Sequence, residues 1–228
     1  AGVVTTLAGS GSAGSANGTG TAASFNRPAG VAVDGSGNVY VADNLNNLIR
    51  KITAAGVVTT LAGSGSSGSA NGTGTAATFN YPYGVAVDGS GNVYVADHSN
   101  HLIRKITSGG VVSTLAGSGS SGSANGTGTA ASFYYPSDVA VDGSGNVYVA
   151  DGDNNLIRKI TSAGVVSTLA GTGSAGSANG TGTAASFNNP IGVAVDGSGN
   201  VFVADYSNHL IRKIATTLAS GSTTNDAT

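Results

Sequence analysis

The sequence predicts an all-β protein, a β-propeller of four four-stranded antiparallel blades, on three observations. The 228-residue chain repeats itself every 54 residues. Each copy holds short runs of alternating apolar and polar residues separated by Gly, Asn and Asp turns, and no copy contains a periodic segment of helix length. Val3 to Thr53, Val57 to Thr107, Val111 to Thr161 and the stretch from Val165 align without a gap, and the first two copies differ at seven of 51 positions. One structural unit is therefore used four times, as repeats of about 3–56, 57–110, 111–164 and 165–218 within a single domain, 1–219.

Within a copy the strands follow in order. After Pro28 and Gly30, Val31-Ala-Val33 forms strand A, and the tight turn Asp34-Gly-Ser-Gly-Asn38 leads into strand B, Val39-Tyr-Val41-Ala. A polar turn, Asp43 to Asn47, precedes strand C, Leu48 to Ile52. A second small turn precedes strand D, Val57 to Leu61, and a long Gly/Ser/Ala/Thr loop runs to the next Pro. A sheet of this size cannot bury both faces alone, so successive sheets must stack radially. The expected core is Val, Ile, Leu and Ala, with Tyr40, Tyr94, Tyr148 and Phe202 at one equivalent position. At about 25 cal/mol per Å² of apolar area, such small side chains stabilise only where blades approach closely. The polar stretch 220–228 is expected to be a tail.

Composition excludes several classes. Nine Lys and Arg against eleven Asp, with no Glu, give a net charge of -2 without a basic run, which argues against a nucleic-acid partner. Without Cys there is no disulfide or thiolate-metal framework. No apolar run approaches the ~18 residues of a membrane span, so no membrane insertion is expected. Ser, Thr, Gly and Ala dominate and only 9% of residues are charged, which suits a secreted or cell-surface bacterial protein. The chain opens at Ala1 without an initiator Met, which fits either removal of a leader or an excerpt of a longer protein.

The motif V-A-V-D-G-S-G-N-V-Y-V-A-D-x-x-N-x-L-I-R-K-I, preceded by F-N-x-P-x-G, resembles the NHL repeat over nearly all of each copy. Asn100-His101-Leu102 and Asn208-His209-Leu210 carry the signature triplet, whereas Asn46-Asn47-Leu48 and Asn154-Asn155-Leu156 have Asn in place of His. The resemblance implies a β-propeller, commonly six-bladed, used mostly as a binding platform, with a few lyases and RNA binders among the relatives. This chain has four copies. It holds a D-type segment, Gly2 to Ala8, then three complete blades, then strands A to C of a fourth with a shortened Ala215-Thr-Thr-Leu-Ala219. The N-terminal segment either completes the last blade and closes the ring, or completes a neighbour's blade in a dimer or filament, and the shortened C-terminal segment competes for the same edge.

Several motifs reduce to structural readings. Gly9-x-Gly11-x-x-Gly14 follows a strand, but Ser15 to Gly20 cannot open an amphipathic helix, so it is no dinucleotide site. Asp34-x-Ser36-x-Asn38 has the oxygen spacing of a calcium loop yet lacks the central Gly and the closing acid. Asp151-Gly-Asp153 lacks that acid too. His98, His101 and His209 are the only imidazoles; His101 and His209 sit at signature positions and His98 in a turn, so no metal site is assigned. No G-x-S-x-G elbow is present, and neither a catalytic set nor a cofactor is assigned. Asp34 and Asp43 recur in every copy together with Arg50 and Lys51, so each copy is self-neutral and structural pairing is expected rather than catalysis. Asn17, Asn71, Asn125 and Asn179 head N-x-[ST] sequons on equivalent loops; they are glycosylation candidates and equally simple Asn-Gly turns.

The copies differ mainly on one face, where the D-to-A and B-to-C connections emerge. Arg27, Tyr81, Tyr135 and Asn189 share one position; Ala29, Tyr83, Ser137 and Ile191 another; Asn44, His98, Gly152 and Tyr206 a third. With Tyr134, Asp138 and Asp153, the residues Arg27, Tyr81, Tyr83, His98, Tyr135 and Tyr206 form the candidate ligand-binding face, since ring faces stack on sugars or peptides and carboxylates accept hydrogen bonds. Neutral variation on exposed loops explains the same differences. The expected function is a non-enzymatic extracellular scaffold for protein or glycan binding, self-assembly, or both. The alternatives are a homopolymeric surface fibre built by terminal-strand exchange, a multivalent lectin, and, last, a lyase or lactonase using Asp138, Asp153 and His98.

Overall fold

The computed structural model describes residues 2–215. It holds four antiparallel sheets, and the strands of blade 1 are A (Pro28–Val33), B (Val39–Asp43), C (Leu48–Ile52) and D (Val57–Ala62). Blades 2 and 3 repeat this at Pro82–Val87 to Val111–Ala116 and at Pro136–Val141 to Val165–Ala170. Blade 4 has A (Pro190–Val195), B (Val201–Asp205) and C (Leu210–Ile214), and no fourth strand among the described residues. The shortened segment after Ala215 and the tail 220–228 lie outside them.

Blades 1 to 3 follow the sequence order A-B-C-D in space and blade 4 the order A-B-C among the described residues, and a two-residue strand is added outside D: Gly18–Thr19, Gly72–Thr73 and Gly126–Thr127 pair with D in blades 1 to 3. The A strands line the axis. Their approach is so close that a Cβ at Gly30 would strike the Tyr83 carbonyl of the next blade, which is why Gly follows Pro28 by two residues.

The core consists of blade-to-blade interfaces. Tyr40, Ala42, Ile49 and Ala62 of blade 1 pack on Phe79, Val85, Val95 and Ile106 of blade 2, and the same positions meet at the next two junctions. Fixed polar networks tie each blade together. In blade 1 the Asp34 carboxylate closes the A-to-B turn, accepting from the Ser36 and Asn38 N–H and from Asn38 Nδ2. The Asn38 contacts hold its carboxyl down at about 2. The Tyr40 hydroxyl also donates to it, as Tyr94 does to Asp88 and Tyr148 to Asp142, each at 3.1 Å. Burial, then the facing Asp88, pushes the Tyr94 phenol up to about 12. Tyr94→Phe should keep the packing and lose this bond, costing about 1 kcal/mol in urea unfolding; blade 4 already carries Phe202 at this place.

The long Gly/Ser loop is ordered by Arg50. Its Nη1 donates to Asp43 and to the Ser24 carbonyl, and its Nη2 to the Ala16 carbonyl and Asn17 Oδ1. The guanidinium also lies 5.2 Å from the Phe25 ring centroid. Of the two recurring acids and two recurring bases in each copy, Asp43 and Arg50 form the ion pair, and the equivalent pairs occur in all four blades at 2.8–3.0 Å. The sequon residues Asn17, Asn71, Asn125 and Asn179 are exposed, with their amide oxygens engaged by these arginines.

The blades form an open arc. Val31 on strand A of blade 1 is 67% exposed, against 5% for Val85 at the same place in blade 2. Ile211 of blade 4 is 77% exposed where Ile49 is fully buried. Residues 2–7 pair with no strand among the described residues, so closure of the ring by the N-terminal segment is not what this chain shows.

Candidate functional site

The variable face is built at the blade junctions by backbone geometry. The B-to-C connection is a single 3-10 turn ending in a left-handed residue, Asn47 (φ 53°), His101 (φ 56°), Asn155 (φ 54°) or His209 (φ 57°). Asn and His are among the few residues that adopt this conformation readily. Their side chains reach across the junction: Asn47 Oδ1 accepts from the Tyr81 N–H at 2.9 Å, His101 Nδ1 from the Tyr135 N–H at 3.1 Å, and Asn155 Oδ1 from the Asn189 N–H at 2.8 Å. The middle residue of the N-H-L triplet therefore joins one blade to the next. The recipients are left-handed too, including the bulky Tyr81 (φ 51°) and Tyr135 (φ 49°), where this conformation costs energy.

Where blades 2 and 3 meet, five rings form a continuous cluster. Tyr83 lies 5.6 Å from His98, His98 4.9 Å from Tyr135, Tyr135 4.7 Å from His101 and 5.0 Å from Tyr134, centroid to centroid. Tyr83 is 43% exposed and Tyr134 is also open to solvent, so their faces are available. His98 Nδ1 lies 3.1 Å from the Pro136 carbonyl, which can only accept, so this nitrogen carries the proton and Nε2 is an acceptor. His101 has the opposite tautomer, since its Nδ1 accepts. Burial lowers the pKa of both rings, and for His101 the neighbouring His98 lowers it further. Both are therefore neutral above pH 7.

Asp138 stands at the axis, where the other three copies have Gly30, Gly84 and Gly192. Its Oδ1 accepts from the Val139 N–H at 2.9 Å and its Oδ2 from the Val193 N–H of blade 4 at 3.0 Å. Burial nevertheless pushes this carboxyl up to about 6, and the two amides only moderate the rise. A cavity of about 200 Å³ at the axis mouth touches Gly30, Tyr83, Gly84, Asp138 and Ile191, one or more residues from every blade.

Of the nine expected site residues, the structure brings Tyr83, His98, Tyr134 and Tyr135 into one cluster, with Asp138 beside Tyr83 at the cavity. Asp153 is exposed, and its charge is felt by both imidazoles. Tyr81 sits one junction away, and Arg27 and Tyr206 lie on blades 1 and 4, outside the ring cluster. Sequence reasoning missed His101, which it assigned to the repeat signature alone; the ring serves both purposes. Among the described residues, no three His, Cys, Asp or Glu side chains group to hold a metal ion. No helix there is long and apolar enough to cross a membrane.

Radial antiparallel blades that repeat every 54 residues define a β-propeller repeat protein. The NHL repeat family matches at residues 25–52, 79–106, 133–160 and 187–214, and the chain belongs to that family. A Bacteroides thetaiotaomicron protein of unknown function is 28% identical with a TM-score of 0.69, over 82% of this chain and 47% of its own. An auxiliary nutrient binding protein from the same species has a TM-score of 0.69 at 20% identity, covering 86% and 49%. Protein SUPPRESSOR OF QUENCHING 1 of Arabidopsis thaliana is 33% identical over 91 residues, 40% of this chain and 9% of that protein. The chain thus spans about half the length of these solved structures and a small part of the plant protein.

Proposed function

We propose that the chain is a non-enzymatic binding scaffold, secreted or held at a bacterial surface, that takes a glycan or peptide on the Tyr83–Tyr134 face. One observation carries this reading: among near-identical repeats, the five-ring cluster occurs only where blades 2 and 3 meet, with two ring faces open. Flat aromatic faces bordered by acceptors such as Asp153 suit sugar rings and peptide side chains. The likeness to auxiliary nutrient binding proteins of Bacteroides supports binding as a use of this fold. Both Asp138 oxygens already accept from backbone amides. Resemblance to gluconolactonase propellers, at 13–14% identity, is one of fold.

Glycan-array and peptide-library screening followed by calorimetry tests the proposal. A ligand should bind once per chain, and Tyr83→Ala or Tyr134→Ala should each weaken it at least ~10-fold, the loss of a stacking anchor. One site per blade would instead indicate a multivalent lectin, and binding indifferent to both substitutions would remove this face as the site.

A further inference from the structure

The charges of this chain divide into those the repeat uses in every copy and those it does not. Of its nine Lys and Arg, four Arg are ion-paired with Asp inside the blades, and four Lys lie 5.5–5.7 Å from the ring centroid of the strand B aromatic. The ninth is Arg27, on blade 1. Among the Asp residues, one in each copy closes the A-to-B turn and one in each copy pairs with Arg. Asp226 lies outside the described residues. Two acids remain, Asp138 and Asp153, and neither is ion-paired among the described residues. Both are peculiar to blade 3. The other copies carry Gly at the first position, and Leu45, Ser99 and Ser207 at the second.

These two acids stand where the open rings are. The Asp153 N–H donates to the Tyr134 carbonyl at 3.2 Å, which places this exposed acid beside that tyrosine. Asp138 packs so closely on Gly84, the residue after Tyr83, that a Cβ there would strike its carboxylate, and Asp138 and Tyr83 line the same cavity. Each exposed ring of the cluster therefore has its own acid, at a junction internal to the chain. The two imidazoles between them are neutral above pH 7, and among the described residues no Lys or Arg lies over any of the three tyrosines. An aromatic face is itself negative, so rings and carboxylates act with one sign. Hydrogen-bonding capacity is also left over. Each Asp138 oxygen accepts one backbone N–H, from Val139 or Val193, and a carboxylate oxygen has room for two donors.

We propose that the ligand of the Tyr83–Tyr134 face carries a protonated amine. Its apolar body lies on a tyrosine ring and its ammonium on the neighbouring carboxylate, with Asp138 as the main contact and Asp153 as the second. Ring face and carboxylate attract such a group together, and the ammonium brings donors for the free lone pairs. Acidic sugars and acidic peptides are turned away by the same charges, and an uncharged ligand gains nothing from them beyond hydrogen bonds. The inference rests on the ligand-binding reading and narrows it to amine-bearing sugars or peptides. A bare metal ion does not fit, because no third carboxylate or imidazole joins these acids among the described residues.

Calorimetry at about pH 7.5, where the imidazoles are neutral, tests it with two matched pairs of probes. One pair is a glucosamine tetramer and its N-acetylated form, the other tri-lysine and its fully acetylated form. Acetylation keeps the body and removes the charge. At least one amine should bind at least ~10-fold more tightly than its acetylated partner, and the pair that shows this tells sugar from peptide. Asp138→Gly and Asp153→Ser install residues that other copies carry at these positions, so the repeat accommodates both. Asp138→Gly should weaken the amine at least ~10-fold, and Asp153→Ser roughly 3-fold, because that acid is exposed. The double variant should bind the amine and its acetylated form alike. The preference should also shrink as salt is raised. Equal binding of both forms, still weakened by Tyr83→Ala and Tyr134→Ala, overturns the charge assignment and leaves the ring face standing as the site. Amine binding indifferent to both acid substitutions, displacement of the amine by calcium, or no amine binding at millimolar concentration overturns the proposal as well.

Discussion

Arg104→Ala should destabilise the protein by about 3–5 kcal/mol, the cost of removing one partner from a buried ion pair. Arg104 and Asp97 are both fully buried and 2.8 Å apart. The guanidinium also donates to the Thr78 and Ala70 carbonyls and to Asn71 Oδ1, and it lies 5.3 Å from the Phe79 ring centroid. Its removal leaves an uncompensated carboxylate and three acceptors in a site from which water is excluded, and the 70–78 loop loses the group that folds it back. For a domain of this size, the loss corresponds to a fall in melting temperature of roughly 10 °C. Lys at this position should recover little, because an ammonium cannot address the same four acceptors from one plane. Arg212→Ala is the internal control. That side chain is 10% exposed and its bond to Asp205 is 3.0 Å, at the open edge of blade 4, so water can replace part of what is lost and the cost should be visibly smaller. Guanidinium unfolding of the three variants checks the order; a loss below about 1 kcal/mol for Arg104→Ala would mean that the pair is not the organiser of its blade.

This network shows where the fold was legible in the sequence and where it was not. The 54-residue spacing and the alternation in Val31 to Val33, Val39 to Ala42 and Val57 to Leu61 specified strands A, B and D, and Leu48 to Ile52 specified C. The short strand Gly18–Thr19 was not legible, because a Gly/Ser/Ala/Thr tract carries no alternation. Its conformation is imposed by Arg50, 33 residues away from Asn17 in the chain. The binding face was read in part. Tyr83, His98 and Tyr135 stood out as differences between copies, but the contact of His101 with Tyr135 spans 34 residues and a blade junction, which one repeat viewed alone does not contain. The left-handed backbone at Tyr81 and Tyr135 was hidden for a related reason. Neither residue type favours that conformation, and the acceptor that selects it belongs to the preceding blade.

Asp138→Gly should remove one part of the pH dependence of stability between about pH 4 and pH 7, a dependence to which Asp97 and Asp151, also raised by burial, contribute with the same sign. Burial raises the Asp138 carboxyl in the folded protein to about 6, above its unfolded value of about 3.9. Between these values the native state binds more protons than the unfolded state, so stability falls as pH rises. The contribution is fully present below the unfolded value and is lost as pH passes through 6. Its size is on the order of 1–3 kcal/mol, since a tenfold change in proton affinity is worth about 1.4 kcal/mol and the group is only partly shielded from solvent. His98 and His101, whose pKa values are lowered, act in the opposite direction below pH 6.5, so the informative quantity is the difference between variant and wild type at each pH. That difference should move in favour of the variant by about 1–3 kcal/mol from pH 4 to pH 7 and then level off. Gly is the natural replacement because blades 1, 2 and 4 carry it at this position. The two backbone amides that Asp138 accepts from lose their partner at every pH, and this lowers the whole curve without adding slope. A flat difference would mean that the carboxyl is solvated at the cavity mouth. The expected slope would instead mark an acid kept at a cost in stability at neutral pH, beside Tyr83 on the face where ligand is proposed to bind.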